Sequence, residues 1–172
     1  MPNVTAGPKA EPQIIKMRSQ KMAVVRTEGD PNVVAAKVLP ALYGSVYTLK
    51  FSLKKKGADF KVGALRARWP NAHLAPKNRW IGIWGLPIPA DTRTLPQKVA
   101  GVEVKTETWK YGTVAQILHI GPYSQELPTV QRLHQFIADS GYEIAGTHEE
   151  EYLTRPTARV QKTIIRYPIR KR

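Results

Sequence analysis

The feature that most limits what this chain can fold into is an order of segments that occurs twice. Residues 21–26 form a short β-type run, closed by Gly29-Asp30-Pro31. Glycine and Asp-Pro punctuate a turn there, and proline suits the first positions of a helix. Apolar residues then recur at helical spacing over 32–53, at Val34, Val38, Leu42, Val46 and Leu49. Pro40 lies inside that stretch and is expected to kink it or split it in two. Two β-type runs follow, 61–69 and 79–86, the second ended by Pro87 and Pro89. After a bridging loop at 90–98 and a β-type segment at 102–109, the order returns. A strand at 113–120 leads into Gly121-Pro122-Tyr123, and Leu127, Val130, Leu133, Phe136 and Ile137 mark a helix over 127–140 with Gly141 as its C-cap. Strands at 142–153 and 160–169 close the chain.

A pattern of strand, turn, helix, strand, strand written twice predicts an α+β fold. It consists of two fused β-α-β-β repeats with pseudo-twofold symmetry, sharing an antiparallel-rich sheet. Both helices are expected on one face and a ligand cleft on the other, where the related halves meet. The repeats span about 20–89 and 102–169, making residues 20–169 one domain. Residues 1–19, with prolines, lysines and little periodicity, read as a flexible arm.

Composition narrows the function classes. A hydrophobic share of 42% in 172 residues is enough for a packed core. No cysteine is present, which removes disulfides, thiol catalysis and cysteine-ligated zinc and fits a cytoplasmic protein. The first twenty residues lack the apolar stretch of a secretory signal. No apolar run approaches the roughly 20 residues that span a bilayer, so no membrane association is expected. Lys and Arg number 27 against 13 Asp and Glu, a net charge of +14. Such a balance can mark a nucleic-acid-associated basic protein. Here the basic residues are dispersed from Lys9 through Lys54-Lys55-Lys56 to Arg170-Lys171-Arg172, with no helix-turn-helix, zinc-finger or paired-aromatic RNA motif. Nonspecific contact with nucleic acid at low salt is the expectation, fading as salt rises. His73, His119, His134 and His148 have no metal-ligand spacing, and no dinucleotide, phosphate-loop or nucleophile-elbow motif occurs. No metal and no cofactor are expected, and the oligomeric state is left as monomer or homodimer.

Several segments together resemble the GyrI-like small-molecule-binding family, closest to its stand-alone members. In the first half these are Gly29-Asp30-Pro31-Asn32, Leu42-Tyr43-Gly44 and Tyr47-Thr48-Leu49-Lys50-Phe51. In the second they are His119-Ile120-Gly121-Pro122-Tyr123, Gly141-Tyr142-Glu143 and the run from Glu150 to Pro156, with residues 163–168 similar to the closing strand. The resemblance implies a cleft for bulky ligands, apolar or cationic, and, in some members, hydrolysis of cyclopropane-type alkylating compounds by cleft acids and aromatics. It also implies an acid directly after Leu65, where this chain has Arg66, and a second Trp where it has Pro70.

Glu150 and Tyr152 lie two apart on a strand, so both side chains project from one face. A carboxylate beside a phenol can hold a cation, orient a water, or act as a general base once desolvated. The plainer reading of Glu149-Glu150-Glu151 is a solvated acidic run. Trp69, Trp84, Tyr43 and Tyr47 are further ligand-binding candidates, against the alternative that tryptophans and tyrosines fill cores. Parity puts Leu65, Ala67 and Trp69 on one strand face and Arg66 and Arg68 on the other. If the Arg66 face lines the cleft, anionic or neutral ligands follow; if the Trp69 face does, cationic aromatics. His148 with Glu150 would make half of a metal site, but no third ligand is evident. With Arg66 replacing an acid, Glu150 is expected to have no carboxylate partner with which to share a proton. The chain therefore reads as a binder of a bulky, lipophilic or aromatic small molecule. The enzymatic alternative is a hydrolase in which Glu150 activates water and Tyr152 positions it.

Overall fold

A computed structural model of the chain describes residues 7–172; the start of the expected arm, residues 1–6, lies outside the described residues. The fold is α+β, with antiparallel strands and two α-helices. By its internal contacts the chain divides into two units: an N-terminal unit, Ser19–Trp109, and a C-terminal unit, Lys110–Arg172 joined by the described residues up to Arg18.

In the N-terminal unit, β2 (Gln20–Glu28) runs into α1 (Pro31–Lys55), followed by β3 (Leu65–Arg68), β4 (Ile81–Pro87) and β5 (Lys105–Trp109). The strands pair antiparallel in the order β3-β4-β2-β5. Asp30 caps α1, its carboxylate accepting from the Asn32 amide, and Pro31 opens the first turn, as the sequence predicts. The expected break at Pro40 does not occur, and the helix runs through it. Pro40 and Ala36 both lie on the exposed side of α1, so water can satisfy the Ala36 carbonyl that proline leaves without a donor. Ala41, Leu42, Ser45 and Val46 form the buried stripe of α1, which lies against β2 and β4.

In the C-terminal unit, β1 (Gln13–Met17) pairs with β6 (Gly112–Ile120), and β6 with β9 (Lys162–Lys171). On its other side, β9 carries β8 (Glu149–Tyr152) along its first half and β7 (Tyr142–Ile144) along its last residues. The strand β1 corrects the reading of residues 13–17 as part of a mobile arm: Ile14 packs against the core, and the segment fills the free edge of β6. Helix α2 (Leu127–Asp139) presses Leu133 and Ile137 onto Ala115, Ile117, Ile165, Tyr167 and Ile169. It ends at Ser140 and Gly141, where glycine takes a φ of +82°, a conformation that costs other residues energy.

Candidate functional site

Strand register decides which face each acidic residue serves. Glu150 stands opposite Ile165, which stands opposite Ile117. Directly paired residues share a face, so Glu150 and Tyr152 lie on the side that α2 covers. Glu149 and Glu151 occupy the other face, as alternation requires.

That other face holds a buried ion network. The Arg166 guanidinium donates to Glu149 Oε2 at 2.8 Å, to Glu151 Oε1 at 3.3 Å and to Gln116 Oε1 at 3.4 Å. The Tyr111 hydroxyl donates to Glu149 Oε1 at 3.0 Å. Glu149 and Arg166 are 2% and 3% exposed. The acidic run is therefore not a solvated stretch.

On the helix side, Glu150 is the meeting point of a chain of titratable groups. His148 Nε2 lies 3.0 Å from Glu150 Oε2, and His148 Nδ1 bonds the Tyr167 hydroxyl. Burial pushes the Tyr167 phenol well above its usual range, with Glu150 and Glu126 adding to the effect, so it stays protonated and donates. Burial also lowers the His148 pKa, against the opposing pull of Glu126 and Glu149. The neutral ring then accepts from Tyr167 at Nδ1 and donates from Nε2 to Glu150. His134 stacks edge-on to Tyr167 at 5.0 Å.

The residue missed in the sequence is Glu126. It occupies the N-cap of α2 but does not cap the helix through its side chain. Its carboxyl interacts with that of Glu150, and its Oε1 is buried without a partner. Desolvation first, then the Glu150 charge and the bond to Glu150, push its pKa up to about 9. Burial raises Glu150 as well, and accepting from Glu126 holds that rise back. Two desolvated, interacting carboxyls resist ionising together, so the pair favours keeping a proton. The expectation that Glu150 has no carboxylate partner is thus overturned.

Tyr123 sits at the edge of this cluster, edge-to-face with Tyr152 at 5.6 Å. Its phenol is raised by burial and by Glu126 and Glu150. Thr163, directly opposite Tyr152 and His119, is fully buried with no partner for its Oγ1. His119 itself is structural, bonded to Thr129 Oγ1 at 2.7 Å and to the Pro122 carbonyl at 3.0 Å. Tyr123 remains 39% exposed and its neighbour Leu127 65%, so apolar surface borders the acid cluster. Among the described residues, no three His, Asp or Glu side chains are placed to hold a metal ion.

The N-terminal candidates divide. Trp69 and Trp84 are buried, packed edge-to-face at 5.0 Å with Trp80 against Trp69. Trp84 Nε1 donates to Thr27 Oγ1 at 2.9 Å, an approach that Gly82 permits because a Cβ there would collide with both atoms. The two tryptophans are packing residues, correcting their reading as ligand contacts. Arg66 shares a face with Gly85 and Val24, opposite to that of Trp84 and Val25. Tyr43 and Tyr47 stack along α1 at 6.5 Å, and Tyr47 is exposed.

A model of the GyrI-like small molecule binding domain matches residues 10–170. Among solved structures, an uncharacterized conserved protein from Listeria innocua is 26% identical over 95% of this chain and 94% of its own, with a TM-score of 0.82. A hydrolase from Listeria innocua is 26% identical over the same shares, with a TM-score of 0.80. The EcmrR C-terminal domain, 13% identical over 94% of this chain and 98% of its own, shares the fold at a TM-score of 0.62. No curated protein matches this chain. No helix among the described residues is long and apolar enough to cross a membrane.

Proposed function

The chain belongs to the GyrI-like small-molecule-binding domain family, and from that premise we propose that it binds a bulky aromatic or apolar molecule at the Tyr123–Tyr152 edge of the C-terminal unit. The observation that carries this reading is a buried pair of interacting carboxyls beside partly exposed aromatic rings. The rings and Leu127 supply the apolar surface that a bulky ligand needs, and Glu150, fed by His148, supplies one oriented polar group.

A second reading, hydrolysis, is favoured by the same pair and by the hydrolase label of a structural relative. A general base and a general acid must differ in pKa to act together near neutrality, and Glu150 and Glu126 are set up in that way. Glu150 takes a proton from a water whose oxygen bonds to one carbon of the strained ring as the ring C–C bond at that carbon breaks, its electron pair passing to the opened fragment. Glu126 gives its proton to the opened fragment that receives that electron pair, so that water is added across the broken bond and nothing is expelled. Glu126 thus fills the place of the second acid that Arg66 does not provide.

Calorimetric titration with a panel of polycyclic aromatic compounds tests the binding reading. Tyr152→Ala and Glu150→Gln should each weaken the best ligand at least tenfold, equivalent to about 1.4 kcal/mol. Wild-type affinity in both variants would contradict it. Incubation with cyclopropane-bearing alkylators, followed by product analysis, separates enzyme from binder: turnover lost in Glu150→Gln with binding of the substrate retained establishes the hydrolase.

A further inference from the structure

We propose that the N-terminal unit carries a separate binding groove for an aromatic anion, between the C-terminal half of α1 and residues 59–62. The groove is shallow and open to solvent, offers about 500 Å³, and is lined by Tyr47, Lys50, Asp59, Phe60, Lys61 and Val62. That volume lies within the range of small-molecule pockets.

Its walls are aromatic and open to solvent. Tyr43, Tyr47 and Phe51 recur every fourth residue on α1 and stack in sequence, at 6.5 Å and 6.1 Å. Tyr47 and Phe51 are 41% and 55% exposed, a ladder that the fold of the unit leaves uncovered. Phe60 closes the other side. A planar ring between Tyr47 and Phe60 buries apolar area on both of its faces.

The polar groups fix the sign of the ligand's charge. Lys50 Nζ donates to Asp59 Oδ1 and to the Phe60 carbonyl, each at 2.6 Å, and lies 5.9 Å from the Phe60 ring. An ammonium has three donors, so among the described residues one remains for a ligand. Asp59 also accepts from the Phe60 amide at 2.8 Å and is held ionised by Lys50 and Lys54. Lys50, Lys54 and Lys61 therefore face a single carboxylate that is already engaged. A cationic ring would meet this excess unfavourably, whereas a carboxylate on the ring meets the free donor of Lys50 and the flexible Lys61.

The test titrates the whole chain with 2-naphthoate and with 2-naphthylmethylammonium, following amide and aromatic NMR shifts. Naphthoate should shift Tyr47, Phe60 and Val62 and bind at least tenfold tighter than the cation. Tyr47→Ala should weaken it about tenfold and Lys61→Gln about threefold, both at exposed positions that leave the melting temperature unchanged. Glu150→Gln should bind naphthoate as the wild type does, which separates this groove from the C-terminal centre. Equal affinity for the two charges, no binding, or wild-type affinity in Tyr47→Ala would each overturn the proposal.

Discussion

Arg166→Met is expected to destabilise the protein by about 3–5 kcal/mol, because it removes from the interior a guanidinium that donates to Glu149, Glu151 and Gln116 together. The Arg166 and Glu149 side chains are almost wholly out of water, so Glu149 cannot recover by solvation. The bond from the Tyr111 hydroxyl to Glu149 offsets only part of that cost. The double variant Arg166→Met with Glu149→Gln should recover much of the loss, since it removes the buried carboxylate's charge together with the guanidinium. Urea denaturation at neutral pH measures both. A loss below about 1 kcal/mol for the single variant, the scale of a surface pair, would mean that the network is solvated.

The second large effect is in the pH dependence of stability. Glu126 has a folded pKa of about 9 against an ordinary value near 4.5. A group whose folded pKa is raised contributes stability that is fully present below the unfolded value and is lost as pH rises through the folded one. Between about pH 5 and 9, then, this carboxyl lowers stability by up to roughly 1.4 kcal/mol per pH unit. Glu126→Gln has no proton to lose and still offers Glu150 a donor. Its stability should match the wild type near pH 5 and exceed it increasingly towards pH 9. His148 acts at the other end: its lowered folded pKa contributes stability above about pH 6.5 that is lost as pH falls. That acid limb should persist in the variant. Parallel stability curves for the two proteins between pH 5 and 9 would refute the assignment.

The repeat was legible in the sequence because it is written in local signals. Asp30-Pro31 and Gly141 mark helix ends through backbone chemistry that needs no tertiary partner. Strand parity likewise put Glu150 and Tyr152 together and separated Arg66 from Ala67. Parity could not say which face of a strand a helix would cover; for Glu150 that comes from its register opposite Ile165. Glu126 was not found because its partner comes from a distant strand, and a glutamate before a helix reads first as a favourable charge at the helix start. A usable signal was present: Glu126 precedes Leu127-Pro128 at a position where Ser, Thr, Asp or Asn is the usual cap. The edge strand β1 was hidden by composition, since Gln13-Ile14-Ile15-Lys16-Met17 is too short to show a period among prolines and lysines. The tryptophans posed the opposite difficulty. Their number suggested a ligand cage, but three of them pack on one another to build the N-terminal core.

The most direct test of the proposed centre is a pH titration of the chain labelled with ¹³C at the glutamate side-chain carboxyls. The account predicts one carboxyl resonance that titrates near pH 9, disappears in Glu126→Gln, and moves when Glu150 is replaced by Gln. If every glutamate carboxyl of the wild type titrates below about pH 6, within the ordinary spread for folded proteins, Glu126 and Glu150 do not share a proton and the proposed centre fails.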